Sequence, residues 1–269
     1  MSFCTHRGFT LIETLIAMAI SSVLLTGIYS FFISQQEIQN VRGQVAEMQQ
    51  NVRIAMAIMT REMRMTGYGA PQTNLPSWIP WVAGLTTNPK ITQGPGTTPD
   101  TITIVGFFDA PIASLTAAAA VGATSLSIQY TDPDKTFNTS SKKVFRISDN
   151  ENGMIIGTAG NILTIDMDPT IAGNQGLTRG YPIGTSLTLL KVITYNIVDT
   201  TLKRDENTGA GGQPLAEGIE DMRITQNGTA LTLTLTGRTA QPQPHYTHPT
   251  KGDHYRRVKA SSRLRPRNL

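Results

Sequence analysis

Cysteine is almost absent from this chain of 269 residues: only Cys4 is present, which excludes an intramolecular disulfide and a thiolate zinc cluster. Histidine is scarce too, with four residues, so any imidazole-based chemistry has few places to reside. Charged residues make up only 16% of the chain, while 39% is hydrophobic, a balance that excludes a fully disordered polymer and supports a buried core. The slightly negative mean hydropathy excludes a polytopic membrane protein. Proline is missing before Pro71, and between Gly8 and Gly67 the glycines are Gly27 and Gly43 alone, so the first quarter contains almost nothing that breaks a helix.

The charge that is present is unevenly spread. Seven of the 23 Lys and Arg residues follow position 250, opposed only by Asp253, and the rest of the chain is slightly acidic. The basic character therefore belongs to a C-terminal tail. At the other end, Thr14 to Gln36 forms a run of 23 uncharged residues rich in Leu, Ile, Ala, Val and Phe, long enough to cross a bilayer as a helix. A secretory signal peptide fits poorly, because the small-residue pattern Ala17-Met18-Ala19 falls inside the apolar run. A core helix fits poorly too, since apolar residues occupy every side. Arg7, ahead of the run, favours a cytoplasmic N-terminus.

Glu13 is unexplained by a plain anchor. A carboxylate at the edge of such a segment costs roughly 2.5–3.5 kcal/mol in lipid unless it is paired, and no basic side chain lies within one helical turn. Gly8-Phe9-Thr10-Leu11-Ile12-Glu13 followed by an apolar run resembles the processing motif of type IV prepilins and related pseudopilins. The resemblance implies cleavage between Gly8 and Phe9 by a prepilin peptidase and N-methylation of Phe9. It further implies that Glu13 pairs an incoming subunit with the filament during assembly. Cys4 would leave with the leader. The proline that kinks many major pilins is absent from this helix.

An uninterrupted helix is predicted from Phe9 to about Thr66, spanning about 87 Å. In its second half Ile38, Val41, Val45, Met48, Val52, Ala55 and Met59 recur at spacings of three and four, a stripe suited to packing on the chain's own head. Gly67, Gly69 and Pro71 are expected to end it. Residues 70–99 hold six of the fifteen prolines and both tryptophans, Trp78 and Trp81, and read as a long connecting loop pinned by a Trp cluster.

Beyond position 100 the pattern is β, with strands predicted at 101–108, 126–130, 144–147, 154–157, 162–167, 186–198, 224–225 and 230–236. Asn152-Gly153, Gly160-Asn161 and Asn227-Gly228 are expected turns, and Ala117 to Ala120 reads as a brief helix or a small-residue loop. Thr208 to Arg223, a following strand and Tyr255 to Leu269 resemble PilW-type minor pilins and the J-type minor pseudopilins of type II secretion. In that group low-abundance subunits prime the filament and can remain at its tip.

Catalytic signals are weak. His245, His248 and His254 lie in a Pro/Gln-rich stretch read as a solvated loop, so no metal is expected there. Asp149 to Gly153 lacks the glutamate that completes a calcium loop, and Gly209 to Gly212 lacks the lysine of a phosphate loop. No nucleophile, base and orienting acid stand together. The basic tail admits a DNA reading. The alternative is an amphipathic last strand with Val258 and Leu264 inward and the arginines outward.

The expectation is an α+β, pilin-like chain: leader 1–8, membrane or filament-core helix 9–34, amphipathic helix 35–66, Pro/Gly-rich connection 67–100 and β-rich head 101–269. The implied role is that of a minor pilin-like structural subunit priming a type IV pilus, not an enzyme, with no cofactor. The implied partners are the prepilin peptidase, other minor and major pilins, the pilus assembly machinery and the inner membrane, with the head periplasmic. Two alternatives stay open: a minor pseudopilin of type II secretion, and a membrane-tethered protein that binds a ligand or DNA.

Overall fold

One helix, α1 (Leu11–Arg64), dominates the N-terminal half of the molecule. The computed structural model describes residues 10–68, 88–133, 136–139, 144–148, 151–207 and 210–266. The cleavage residues Gly8 and Phe9, the helix-stop residues Gly69 and Pro71, the Trp78/Trp81 cluster and part of the Asp149–Gly153 segment lie outside them. Thr10 caps the helix, and Arg61 and Arg64 in the last turn oppose the negative end of its dipole. Over 54 residues the helix runs about 81 Å. Gly67 then takes a positive φ of 76° and its N–H donates to Val105 O at 3.0 Å, hooking the helix end onto the head.

Among the described residues the head holds fourteen strands: β1 (Lys90–Thr92), β2 (Thr101–Gly106), β3 (Ala113–Leu115), β4 (Ser125–Tyr130), β5 (Val144–Ile147), β6 (Glu151–Ala159), β7 (Ile162–Asp166), β8 (Ser186–Leu189), β9 (Lys191–Val198), β10 (Thr201–Asp205), β11 (Gln213–Glu217), β12 (Ile219–Asn227), β13 (Ala230–Arg238) and β14 (Arg257–Leu264). The α+β architecture matches the sequence expectation: one long helix against a β-rich head. Several details differ. The 70–99 stretch contains β1, which pairs with β2, and the predicted 186–198 strand divides at Leu190 into β8 and β9, members of different sheets. Asn152-Gly153 is not a turn. It lies inside β6 opposite Arg146 and Phe145, and a Cβ at Gly153 would stand 2.6 Å from Met167 Sδ, so glycine serves close packing. Gly160-Asn161 does connect β6 to β7, and Gly228 turns β12 into β13 with a φ of 58°. Ala119 makes a bridge to Tyr181 within a loop rather than a helix.

Two cores result. In the first, a five-stranded sheet β1-β2-β9-β10-β11 and a three-stranded sheet β12-β13-β14 share a cluster with α1, centred on Met59, Met63, Ile104, Tyr195, Met222 and Leu233. The helix presents Met48, Val52, Ala55, Met59 and Met63 to it. Each buried Val or Met is worth about 1.5–3 kcal/mol relative to exposure, enough to hold a helix by one face. The leading members of the predicted stripe do less: Ile38 is exposed, and Val41 and Val45 are half-buried. The second core fills a closed barrel of order β3-β4-β7-β6-β5-β8, with Leu115, Ile128, Phe145, Ile155, Ile165 and Leu187 inside. This barrel is inserted between β2 and β9, which are themselves antiparallel neighbours up to the Gly106–Lys191 pair.

Candidate functional site

Every residue from Thr10 to Asn40 is exposed, although the segment carries Leu, Ile, Val and Phe on all sides. Four of its hydroxyls bond the helix's own carbonyls. Thr14 donates to Thr10 O at 3.3 Å, Ser22 to Ala19 O at 2.8 Å, Thr26 to Ser22 O at 2.8 Å and Ser34 to Ser30 O at 3.0 Å. A helix with its backbone and these hydroxyls satisfied internally presents an apolar cylinder to lipid or to other helices. At its tip Glu13 and Thr10 form a reciprocal cap: Glu13 N–H donates to Thr10 Oγ1 at 3.3 Å, and Thr10 N–H donates to Glu13 Oε2 at 3.3 Å. The carboxylate is thus held against Thr10 by neutral donors, with no cation beside it among the described residues. The sequence carries a signal for this cap, since Thr-x-x-Glu ahead of an apolar run is the pattern of a capping box.

The other end of α1 is locked to the head by charge. Glu62 accepts from Arg204 Nη2 at 2.9 Å and from the Tyr195 hydroxyl, while Arg204 Nη1 reaches Glu206 Oε1 at 2.7 Å. Lys191 continues the chain to Glu206 at 3.2 Å and to Asp109 at 2.7 Å. Burial pushes the Tyr195 phenol well up, reinforced by the Glu62 carboxylate. Burial opposes the charge of Glu206, but the hydrogen bonds from Arg204 and Lys191 overcome it and hold that carboxyl below its usual range. Nothing in the sequence marked this network, whose helix and sheet members lie 142 residues apart.

Residues 5–29 match the family described as the prokaryotic N-terminal methylation motif. The N-terminal segment of this chain is therefore similar to that of type IV prepilins. The chain is 39% identical over 61 residues to the pilin-like protein PilA3 of Thermus thermophilus, a match covering 23% of the chain and 26% of that relative's length. No solved structure matches it. The motif and the exposed apolar helix together support membrane anchoring through the N-terminal segment.

The basic tail is less free than its composition suggests. Arg257, expected to point outward, has a side chain only 6% exposed and grips two carboxylates: Glu220 at 2.5 Å and Asp253 at 2.5 Å. The guanidinium holds both carboxyls below their usual range, Asp253 down to about 2. Lys251 also pairs with Glu220 at 3.0 Å. Arg256 donates to Gln243 at 2.6 Å and stacks over Tyr246, and Arg238 stacks over Tyr255. Leu264 is buried and Val258 half-buried, as the predicted amphipathic strand requires; Lys259 and Arg263 face outward. Two of the histidines serve turns: His248 Nδ1 accepts the Thr250 and Lys251 N–H groups at 3.3 Å, and His254 bonds Tyr246 O at 2.5 Å.

Proposed function

We propose that this chain is a minor pilin-like structural subunit that helps prime assembly of a type IV pilus. In this reading the prepilin peptidase cuts between Gly8 and Phe9, Phe9 is N-methylated, and the subunit waits in the inner membrane with its head periplasmic. The observation that carries it is the tip of α1: an exposed, uncharged helix headed by a carboxylate that has neutral partners only among the described residues. A new α-amine on Phe9 would lie one residue ahead of the cap, so the amine of one subunit can neutralise Glu13 of the next as the apolar cylinder passes from lipid into a helix bundle. The apolar surface stays dry throughout, and the unpaired charge, worth roughly 2.5 kcal/mol or more in lipid, becomes paired. The priming role rests on the likeness of residues 208–223 and 255–269 to minor pilins.

The test is Glu13→Ala in cells. The variant is expected to be processed, with a mature mass beginning at Phe9, but to enter filaments more than tenfold less often than the parent, as read by quantitative mass spectrometry of sheared filaments. Incorporation at the parental level, or a parent chain still beginning at Met1, would refute the assembly reading.

A further inference from the structure

Beside the core stripe of α1 runs a second, neighbouring face made by Arg53, Ala57, Thr60 and Arg64, one helical turn apart along the axis. It forms one wall of an open groove of about 970 Å³. Tyr68, Phe107 and Phe108 also line it, with the Phe107 N–H donating to Tyr68 O at 3.1 Å, as does Ala260 of the edge strand β14. The groove is largely apolar, but Arg53, Arg61 and Arg64 surround it.

These three guanidiniums are exposed, and none has a carboxylate partner among the described residues, whereas Arg204, Arg223 and Arg257 are all held by acids. The carboxylate in the lining, Asp109, is occupied by Lys191 at 2.7 Å. Thr60 adds a buried hydroxyl without a hydrogen-bond partner. Covering this groove with a purely apolar segment would desolvate cations with nothing to offset the cost. Residues 69–87, which follow Tyr68, contain no charged residue and cannot supply the balance. The fitting occupant is apolar in the middle and acidic at its flanks.

We propose that this groove docks a segment of a different, neighbouring subunit in which carboxylates flank apolar residues. The inference rests on the assembly reading above, and it places the contact at head level, about 63 Å along the helix from Leu11 and outside any bundle of N-terminal halves. Arg53, Arg61 and Arg64 meet the acids while the partner's apolar residues cover Ala57 and Phe108.

The experiment is photo-crosslinking of the full chain in intact membranes, with benzoyl-phenylalanine at position 57 and sequencing of the captured peptide. The expected product is a peptide from another subunit with at least two Asp or Glu within four residues of an apolar cross-linked residue. Its yield should fall at least tenfold in the Arg53→Glu/Arg61→Glu/Arg64→Glu variant and persist in the corresponding triple Lys variant, which retains the charge. The inference is overturned by capture of residues 69–87 of the same chain, of a second copy, or of a peptide without acids. Absence of any product, a yield indifferent to charge reversal, or equal loss in the Lys variant overturns it as well. Filament incorporation measured on the same cells separates the two ideas. Normal Glu13-dependent incorporation without the cross-link removes the groove inference alone, while incorporation that does not depend on Glu13 removes the assembly reading.

Discussion

Arg257 joins three positions that the chain keeps apart: Glu220 at the start of β12, Asp253 in the preceding turn and its own place at the head of β14. Both carboxyls have lower pKa values folded than unfolded, so their contribution to stability is present above the ordinary carboxylate range and is lost as pH falls through the folded values. The protection factors of β14 amides, measured against the intrinsic exchange rate at each pH, should therefore stay high from neutral pH to about 4 and fall toward pH 2. Arg257→Gln should remove most of that pH dependence while raising exchange at neutral pH. Unchanged protection in the variant would mean that the pairs contribute nothing. The inward turn of Arg257 was hidden in the sequence because strand alternation assigns a side by parity and does not reveal buried partners. Glu13 was legible for the opposite reason: one acid in an apolar run has no other charge to be confused with.

At the level of elements, the helix was readable almost to its ends, since nothing within 9–66 competes with helix formation and the 3–4 spacing of its stripe needs no long-range information. Strands β10 and β11 were not, because Thr201–Asp205 and Gln213–Glu217 are short and largely polar, and their pairing supplies what their composition lacks. How closely the helix lies on the sheet is decided at Gly237 in β13, where an added Cβ would stand 2.5 Å from Val52 Cγ2 and 3.1 Å from Met48 Cγ. Gly237→Val should therefore push α1 from the three-stranded sheet and cost about 1–3 kcal/mol, seen as a lower unfolding midpoint of the detergent-solubilised chain. An unchanged midpoint would show that the helix yields freely at this contact.

Across the whole molecule, the barrel could not be foreseen as a separate core. Alternation such as Ser125-Leu126-Ser127-Ile128 suits an open sheet and a closed barrel equally, and closure depends on β8 finding β3 some 70 residues away. Yet the two cores share no buried residue, and every member of the barrel core falls between Ile112 and Leu189. Because Gly106 and Lys191 are paired neighbours, replacing residues 107–190 by a short hairpin loop should leave α1 packed on its two sheets with a single cooperative unfolding transition. Loss of that transition would show that the barrel is required to hold the helix face.

The insertion point also has a mechanical meaning. Both tethers of the barrel leave from the same end of one strand pair, so a pull on the barrel loads the β2–β9 rungs one after another, beginning at Gly106 and Lys191, as a zipper opens. A pull along α1 instead loads the Val52–Gly237 contact, the Glu62–Arg204 pair and the Gly67–Val105 hydrogen bond together, in shear. A filament holding this chain by its helix would grip the stronger direction, and a load arriving through the barrel would meet the weaker one.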